Sequence, residues 1–227
     1  MNNQLALMQL ADSFFPSGSF TLSHGLEYLV QTKQIKEATE LKTFLQILLH
    51  NKIASCDLVA LIDAYGGSKR NNIKIILNAD RQLFSQLLIA KNRQTMQKSG
   101  RALLTVAREI WQNKQLEELQ LRLEANHFFC LHPIVFAVVA QIAGIDEQNT
   151  VLAFLHNLMT SLIGAAIRLG IIGHIEGQKM LISLASDLLQ AYSQAKSLDL
   201  EQMWSCTPTI DLAQMQHQQL RTRLFAN

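Results

Sequence analysis

The sequence predicts an all-α protein, a single helical-bundle domain of about nine or ten helices spanning residues 1–227. Only 10 glycines and 3 prolines occur in the chain, so residues that interrupt helices are scarce. Apolar residues recur at helical spacing in several segments, whereas no stretch shows the sustained alternation of a β-strand. Hydrophobic residues make up 48% of the chain, which is enough for a sizeable core.

The first part of the chain is predicted to hold four helices. A short helix is expected over residues 3–11 and a second over about 22–32, with a turn at residues 12–21 between them. Residues 37–53 place leucine and phenylalanine side chains on one face, and residues 56–65 continue as another helix. We therefore expect one helix to end and the next to begin near residue 54.

Residues 66–72, Gly-Gly-Ser-Lys-Arg-Asn-Asn, are predicted to form the clearest loop. A glycine-rich loop containing lysine can bind phosphate, but this one lacks the GxxxxGK[ST] order and no strand precedes it. We therefore exclude a phosphate-binding loop, and with it an intrinsic GTPase.

The rest of the chain is predicted to hold longer and more apolar helices. His132 and Pro133 begin the most apolar of them, since proline is well placed in a first helical turn. Residues 148–168 are apolar nearly all round, which is typical of the central helix of a bundle. The helices predicted here cover residues 73–90, 93–111, 115–126, 133–144, 147–169 and 178–196.

Positive charge is concentrated in one segment. The net charge is only +2, but residues 66–114 contain ten basic and two acidic residues. Arg93, Arg101 and Arg108 fall on one edge of the predicted 93–111 helix, within roughly 80° of one another. Such an edge is either a solvated helix face or a site for phosphate groups or an acidic protein. It supports an alternative hypothesis, a helical nucleic-acid or anion-binding protein, although no helix-turn-helix is recognisable.

Residue patterns typical of catalysis or metal binding are scarce. The seven histidines are scattered and neither HExxH nor GxSxG is present. His127, Cys130 and His132 come nearest to a metal cluster, but the polar start of a helix is the simpler interpretation. We expect no catalytic residue, no bound metal and no permanently bound cofactor.

The sequence also bears on the cellular setting. Cys56, Cys130 and Cys206 are far apart and odd in number, which argues against a disulfide framework. No secretory signal is recognisable at the N-terminus. Residues 125–145 and 148–167 reach membrane-spanning length, but interrupting histidine, proline and amide side chains favour buried core helices. We expect a reduced, cytoplasmic location and no membrane insertion.

Residues 12–27 combine a tight turn with aromatic side chains. Pro16 and Gly18 favour the turn, and three phenylalanines flank it. The stretch resembles the N-terminal signature of the UreF family of urease accessory proteins. The matching residues are Ser13, Pro16, Gly18, Phe20, Ser23, Gly25, Leu26 and Glu27.

Four later blocks, in the same order along the chain, also resemble the UreF family. They are Arg93 with Ser99-Gly100-Arg101; His132-Pro133 with Phe136 and Gly144; Ala165 to Gly173 with Gly177-Gln178; and Pro208, Asp211, Met215, His217 with Arg223-Leu224-Phe225. Two positions depart from the family pattern. Gln218 follows His217 where the family often has glutamate, and Ala226 replaces a usual serine.

The resemblance implies an all-α, dimeric and non-enzymatic protein. UreF proteins bridge the accessory protein UreD, called UreH in some systems, and the GTPase UreG. The assembly is a chaperone that inserts nickel into the apo-urease metallocentre in a GTP-dependent way, so nickel is handled by the complex. The N-terminal segment 1–27 and the C-terminal tail 208–227 would face the partners, and no nucleic acid would bind.

The resemblance also suggests residues for partner binding. An arginine supplied to the GTPase is a variant of the same hypothesis, with Arg101 and Arg168 as candidates. The expected partner-binding residues are Phe14, Phe15, Pro16, Gly18, Phe20, Ser23, Gly25, Glu27, Arg93, Arg101, Arg168, Asp211, Met215, His217, Arg223, Leu224 and Phe225.

Overall fold

The computed structural model describes residues 3–12, 15 and 23–225. Within these ranges it contains eleven α-helices, one short 3-10 helix and no β-strand, which confirms the all-α prediction. The helices are α1 Asn3–Leu10, α2 Leu26–Gln31, α3 Ala38–Lys69, α4 Ile73–Gln86, α5 Ala90–Trp111, α6 Lys114–Glu124, α7 His132–Ile142, α8 Glu147–Arg168, α9 His174–Ser183, α10 Ala185–Lys196 and α11 Pro208–His217.

Helix α8 lies at the centre of the bundle, as the sequence predicts. It packs against α1, α2, α3, α7, α9 and α10. Helix α7 is even more completely enclosed, because every residue from Pro133 to Ala140 is buried between α3, α5 and α8. The buried apolar side chains of the described helices form one continuous core.

Helix α3 is one continuous helix, so the predicted break near residue 54 and the predicted loop over residues 66–69 are both wrong. A π-helical segment, Leu49–Asp57, carries the helix through the first position. At the second, a Cβ atom on Gly67 would lie 2.9 Å from the Ile75 side chain. The glycine therefore permits close packing of α4 rather than a loop, and only residues 70–72 form the turn.

The π-helical segment also holds the chain that leads into α11. The carbonyl oxygens of Asn51 and Ser55 accept hydrogen bonds from the N–H groups of Cys206 (2.9 Å) and Trp204 (3.1 Å). The Ser55 hydroxyl donates to the Trp204 carbonyl oxygen at 2.8 Å. This extended segment crosses α3 and places α11 beside α2.

Two other predicted boundaries shift. Helix α4 ends at Gln86 and not at the predicted residue 90, and the extended linker that follows leaves Leu88 77% exposed. The single helix expected over residues 178–196 is two helices, because the chain turns at Leu184. That residue is fully buried, and its N–H group bonds to the carbonyl oxygens of both Met180 and Leu181.

Two helices are long and apolar enough to cross a membrane, α3 and α8. However, 72% and 61% of their most apolar windows are buried against other parts of the fold. The run at residues 125–145 is not one helix, because α7 begins only at His132. Burial of this extent is typical of core helices, as the sequence interpretation held.

Candidate functional site at the junction of the N-terminal motif and the C-terminal tail

The N-terminal motif and the C-terminal tail meet where α11 packs on the start of α2. Gly25, which precedes α2, has a φ of +85°. A Cβ atom there would lie 3.1 Å from both Ala213 and Gln214 on α11. The Gln214 side chain also donates to the His24 carbonyl oxygen at 3.3 Å. Glycine at residue 25 therefore satisfies both the left-handed backbone and the close helix approach.

The Glu27 carboxylate is the centre of this junction and is fully buried. Its Oε2 accepts from Nε2 of His217 at 2.6 Å and from the Phe225 N–H at 3.2 Å. Its Oε1 accepts from the Leu224 N–H at 2.7 Å and from the Gln31 side chain at 3.3 Å. Three of these neighbours are amide N–H donors, and they address both oxygens, so the site requires a group that accepts at each oxygen, as a carboxylate does.

The His217 side chain is as buried as its partner, with relative exposures of 1% for His217 and 0% for Glu27. Its Nδ1 atom has no hydrogen-bond partner among the described residues. Buried acidic groups are costly unless charge and hydrogen bonds offset the lost hydration. Among the described residues, three of the four hydrogen-bond partners of Glu27 belong to residues 217–225, so docking of the tail supplies most of the described offset.

The last residues of the tail are held by apolar and cationic contacts as well. The Phe225 side chain is 5% exposed, and the guanidinium carbon of Arg168 lies 4.4 Å from the centre of its ring. Arg168 also donates to the Gly164 carbonyl oxygen at 3.2 Å. A cation over an aromatic face stabilises the ring position, so the end of α8 supports the tail.

A salt bridge fixes the other end of α11. Nζ of Lys52, in the π-helical segment of α3, lies 3.0 Å from Oδ1 of Asp211. The Thr207 hydroxyl donates to the second Asp211 oxygen at 3.1 Å. Both charged side chains are mostly buried, with exposures of 12% and 20%. Asp211 thus anchors α11 to the body of the protein.

Several tail side chains point away from this junction. Leu212, Met215 and Leu224 are 60%, 45% and 69% exposed. Arg221 and Arg223 are exposed beside them in the chain. We call these five residues the outer tail surface.

Comparison with other proteins places the chain in a family. The sequence profile of the UreF family matches residues 35–185. The urease accessory protein UreF of Trichodesmium erythraeum (strain IMS101) is 55% identical over 227 residues, which cover 100% of this chain and 98% of that protein. The urease accessory protein UreF of Geobacillus kaustophilus (strain HTA426) is 31% identical, with 97% and 96% covered.

The chain belongs to the UreF family. The resemblance found in the sequence is therefore confirmed. It is also similar, at 29% identity over 99% of both chains, to the urease accessory protein UreF of Bacillus sp. (strain TB-90). The aligned regions include both the N-terminal motif and the tail, so the junction lies within the part of the chain that aligns with these UreF proteins.

The structure separates the predicted partner-binding residues of this UreF protein by exposure. Those at the junction contact each other and not the solvent, so a partner cannot touch Glu27 or His217 in this conformation. Their part in partner binding stays a prediction. The buried residues are Phe15, Ser23, Gly25, Glu27, His217 and Phe225; Arg93 and Asp211 are half-buried; Arg101, Arg168, Met215, Arg223 and Leu224 are exposed. Phe14, Pro16, Gly18 and Phe20 lie outside the described residues.

The basic edge of α5 is largely engaged within the chain. The Arg93 Nε donates to the Leu87 carbonyl oxygen, and its guanidinium lies 5.0 Å from the Phe84 ring centre. Arg108 forms two hydrogen bonds with the Glu117 carboxylate. Arg101 is exposed, whereas Arg93 and Arg108 are half-buried. Two of the three arginines are therefore less available for phosphate groups than the sequence suggested.

Of the three residues that come nearest to a metal cluster in the sequence, His127 is exposed, Cys130 is buried and His132 packs against aromatic rings. His132 is the first residue of α7, and its ring centre lies 5.9 Å and 5.8 Å from those of Phe136 and Phe154. Burial lowers the pKa of His132 to about 4 and raises the pKa of Cys130 to about 12. Over the described residues, no three histidine, cysteine or acidic side chains are grouped to hold a metal ion.

Sequence reasoning missed two buried aspartates. Both Asp57 carboxylate oxygens lack a hydrogen-bond partner among the described residues, and burial raises the pKa of this group to about 6. Asp80 instead accepts from the N–H groups of Phe129 (2.6 Å) and Leu131 (3.0 Å). Burial raises its pKa to about 6 as well, opposed by those bonds. The sequence signal that could have revealed both residues is a single acidic residue within the apolar face of a helix.

Proposed function

We propose that this protein is the scaffold of a urease maturation complex, bridging UreD (UreH) and the GTPase UreG. In this role it is a chaperone component that helps GTP-dependent nickel insertion into apo-urease and catalyses no reaction itself. The proposal is supported by membership of the UreF family and by relatives named urease accessory proteins over their full length.

The observation that carries the proposal is the outer tail surface. Leu212 and Leu224 expose apolar area without a described partner, whereas the backbone and Phe225 of the same tail are anchored inside. Exposed apolar residues bordered by arginine are typical of protein interfaces. A segment held on one side and open on the other suits a second protein better than a small substrate.

Nickel is proposed to be cargo of the assembled complex, on the basis of membership of the UreF family. Homodimerisation and a cytoplasmic location are proposed on the same family basis. Light scattering on the isolated full chain tests the first, with twice the 25.5 kDa chain mass expected.

The deciding experiment is co-purification of the full chain with UreD and UreG of the same organism, followed by light scattering for mass. We expect a stable complex with two copies of each chain. Deleting residues 208–227 should weaken it, because the deletion removes the outer tail surface. A full chain that remains alone in the presence of both proteins would contradict the proposed function.

A further inference from the structure

We propose that Glu27 is a positioning residue for the tail: its carboxylate holds the backbone N–H groups of Leu224 and Phe225, so that the outer tail surface is presented to UreD and UreG. This inference rests on the proposed function. It differs from the expectation that Glu27 contacts a partner, because the side chain is fully buried.

The bonds to Glu27 come mainly from the main chain of the tail. Leu224 and Phe225 donate their backbone N–H groups at 2.7 Å and 3.2 Å, while the Leu224 side chain remains 69% exposed. Hydrogen bonds from N–H groups to an ionised acceptor are stronger than those to a neutral one. The tail is thus fixed without using its outward side chains, which stay available for another protein.

A second pair of contacts fixes the tail between His217 and Leu224. The Gln31 side chain donates to the Thr222 carbonyl oxygen at 3.3 Å and to Glu27 at the same distance. Gln31 lies one helical turn after Glu27, so both act from the same face of α2. Helix α2 therefore provides the two described side chains, Glu27 and Gln31, that bond the tail backbone. At the end of the tail, the Phe225 ring packs against Arg168 of α8.

An amide cannot replace the carboxylate at this position. In Glu27→Gln one of the two oxygens becomes an NH₂ group, which faces donors that it cannot accept from. We expect the Phe225 amide to exchange its hydrogen about tenfold faster or more, since one buried bond is lost and another donor is left unpaired. Glu118→Gln on α6 is the control, because the Glu118 side chain is 43% exposed and its described ion pair is with Arg122 one turn away.

A pair of variants at Leu224 tests the inference without touching Glu27. Leu224→Pro removes the N–H donor, whereas Leu224→Ala keeps it, and both remove the same exposed side chain. Hydrogen exchange at Phe225, proteolysis of the tail and capture of UreD and UreG are measured on the full chain. We expect the proline variant to lose protection of the tail and to bind partners at least about tenfold more weakly than the alanine variant.

The outcomes separate this inference from the proposed function. If Leu224→Pro and Leu224→Ala match in tail exchange and in partner capture, Glu27 does not position the tail, even if the wild-type chain binds both partners. If the wild-type chain captures neither partner, the proposed function fails. In that case, slow hydrogen exchange at the Phe225 amide that Glu27→Gln accelerates would still support the positioning of the tail backbone by Glu27.

Discussion

Gly100 in the middle of α5 lies directly against the carbonyl oxygen of Cys130. A Cβ atom built on Gly100 would be 1.9 Å from that oxygen, a distance that no relaxation of side chains can relieve because the neighbour is backbone. Cys130 itself has a positive φ of 64°, and the N–H groups on either side of it are held by Asp80. The segment before α7 therefore cannot move away easily.

We predict that Gly100→Ala destabilises the protein by about 3 kcal/mol or more, the range for severe overpacking next to backbone. The measurement is the free energy of unfolding from urea titration with circular dichroism. Gly164→Ala in α8 is the matched control, since no atom of the described residues outside the backbone of its own helix lies within 4 Å of the added methyl group. There the higher helix propensity of alanine should raise stability by up to about 1 kcal/mol. Similar effects of the two substitutions would contradict this packing.

Gly100 also shows where sequence reasoning reaches its limit. The central helix α8 and the enclosed α7 could be predicted, because apolar periodicity reports burial directly. A glycine inside a helix predicts a close crossing or a kink, but not which backbone approaches it. Gly66 and Gly67 predicted a loop, but both lie within α3, and the missing side chain at Gly67 lets Ile75 and Ile76 of α4 pack closely.

The candidate site was only partly predictable. The family resemblance selects both Glu27 and His217, but no local pattern indicates that residues 190 positions apart share a buried hydrogen bond. The contacts from Leu224 and Phe225 use backbone N–H groups, which every non-proline residue has. The buried character of the junction was therefore missed, and side chains that bond each other were expected to face a partner.

Asp57 and Asp80 are both buried with pKa values raised to about 6, yet we predict opposite effects of asparagine at the two positions. Asp57→Asn removes a charge whose oxygens have no described hydrogen-bond partner, so it should stabilise the protein by roughly 2 kcal/mol at pH 8. Asp80→Asn places an NH₂ group against a backbone donor and should destabilise by about 1–3 kcal/mol. Thermal unfolding at pH 8 distinguishes the two signs.

The gain from Asp57→Asn should depend on pH in a defined direction. The folded pKa of Asp57 is about 6, above its ordinary value of 3.8, so the folded state holds the proton more tightly than the unfolded state. The cost of the charged form is therefore full above about pH 6 and disappears below about pH 4. The advantage of the variant should vanish over that range, and a constant advantage would contradict the assignment. Burial also lowers the pKa of His132 to about 4, so His132 adds its own pH dependence over the same range. The measured quantity is therefore the difference in unfolding free energy between variant and wild type at each pH, in which the His132 contribution cancels.

Gly25 should matter more for the tail than for the core. Gly25→Ala combines a left-handed backbone with a Cβ atom 3.1 Å from Ala213 and Gln214, so we predict a loss of about 2–3 kcal/mol and faster hydrogen exchange in α11. Gly170→Ala is the control, because Gly170 shares the positive φ, at +76°, but an added Cβ atom would have no atom of the described residues within 4 Å. It should cost about 1 kcal/mol and leave α11 exchange unchanged. Equal exchange in both variants would mean that Gly25 does not hold α11 in place.

The outer tail surface predicts which exposed apolar residue matters for partner binding. Leu212 on α11 is 60% exposed and Ile182 on α9 is 77% exposed, so glutamate at either position should change the free energy of unfolding by less than about 0.5 kcal/mol. Leu212→Glu places a charge inside the proposed interface and should weaken capture of UreD and UreG roughly tenfold to a hundredfold. Ile182→Glu, with the same charge and similar exposure, should leave capture unchanged. Binding titrations with both variants measure this difference, and a larger loss from Ile182→Glu would move the interface to α9.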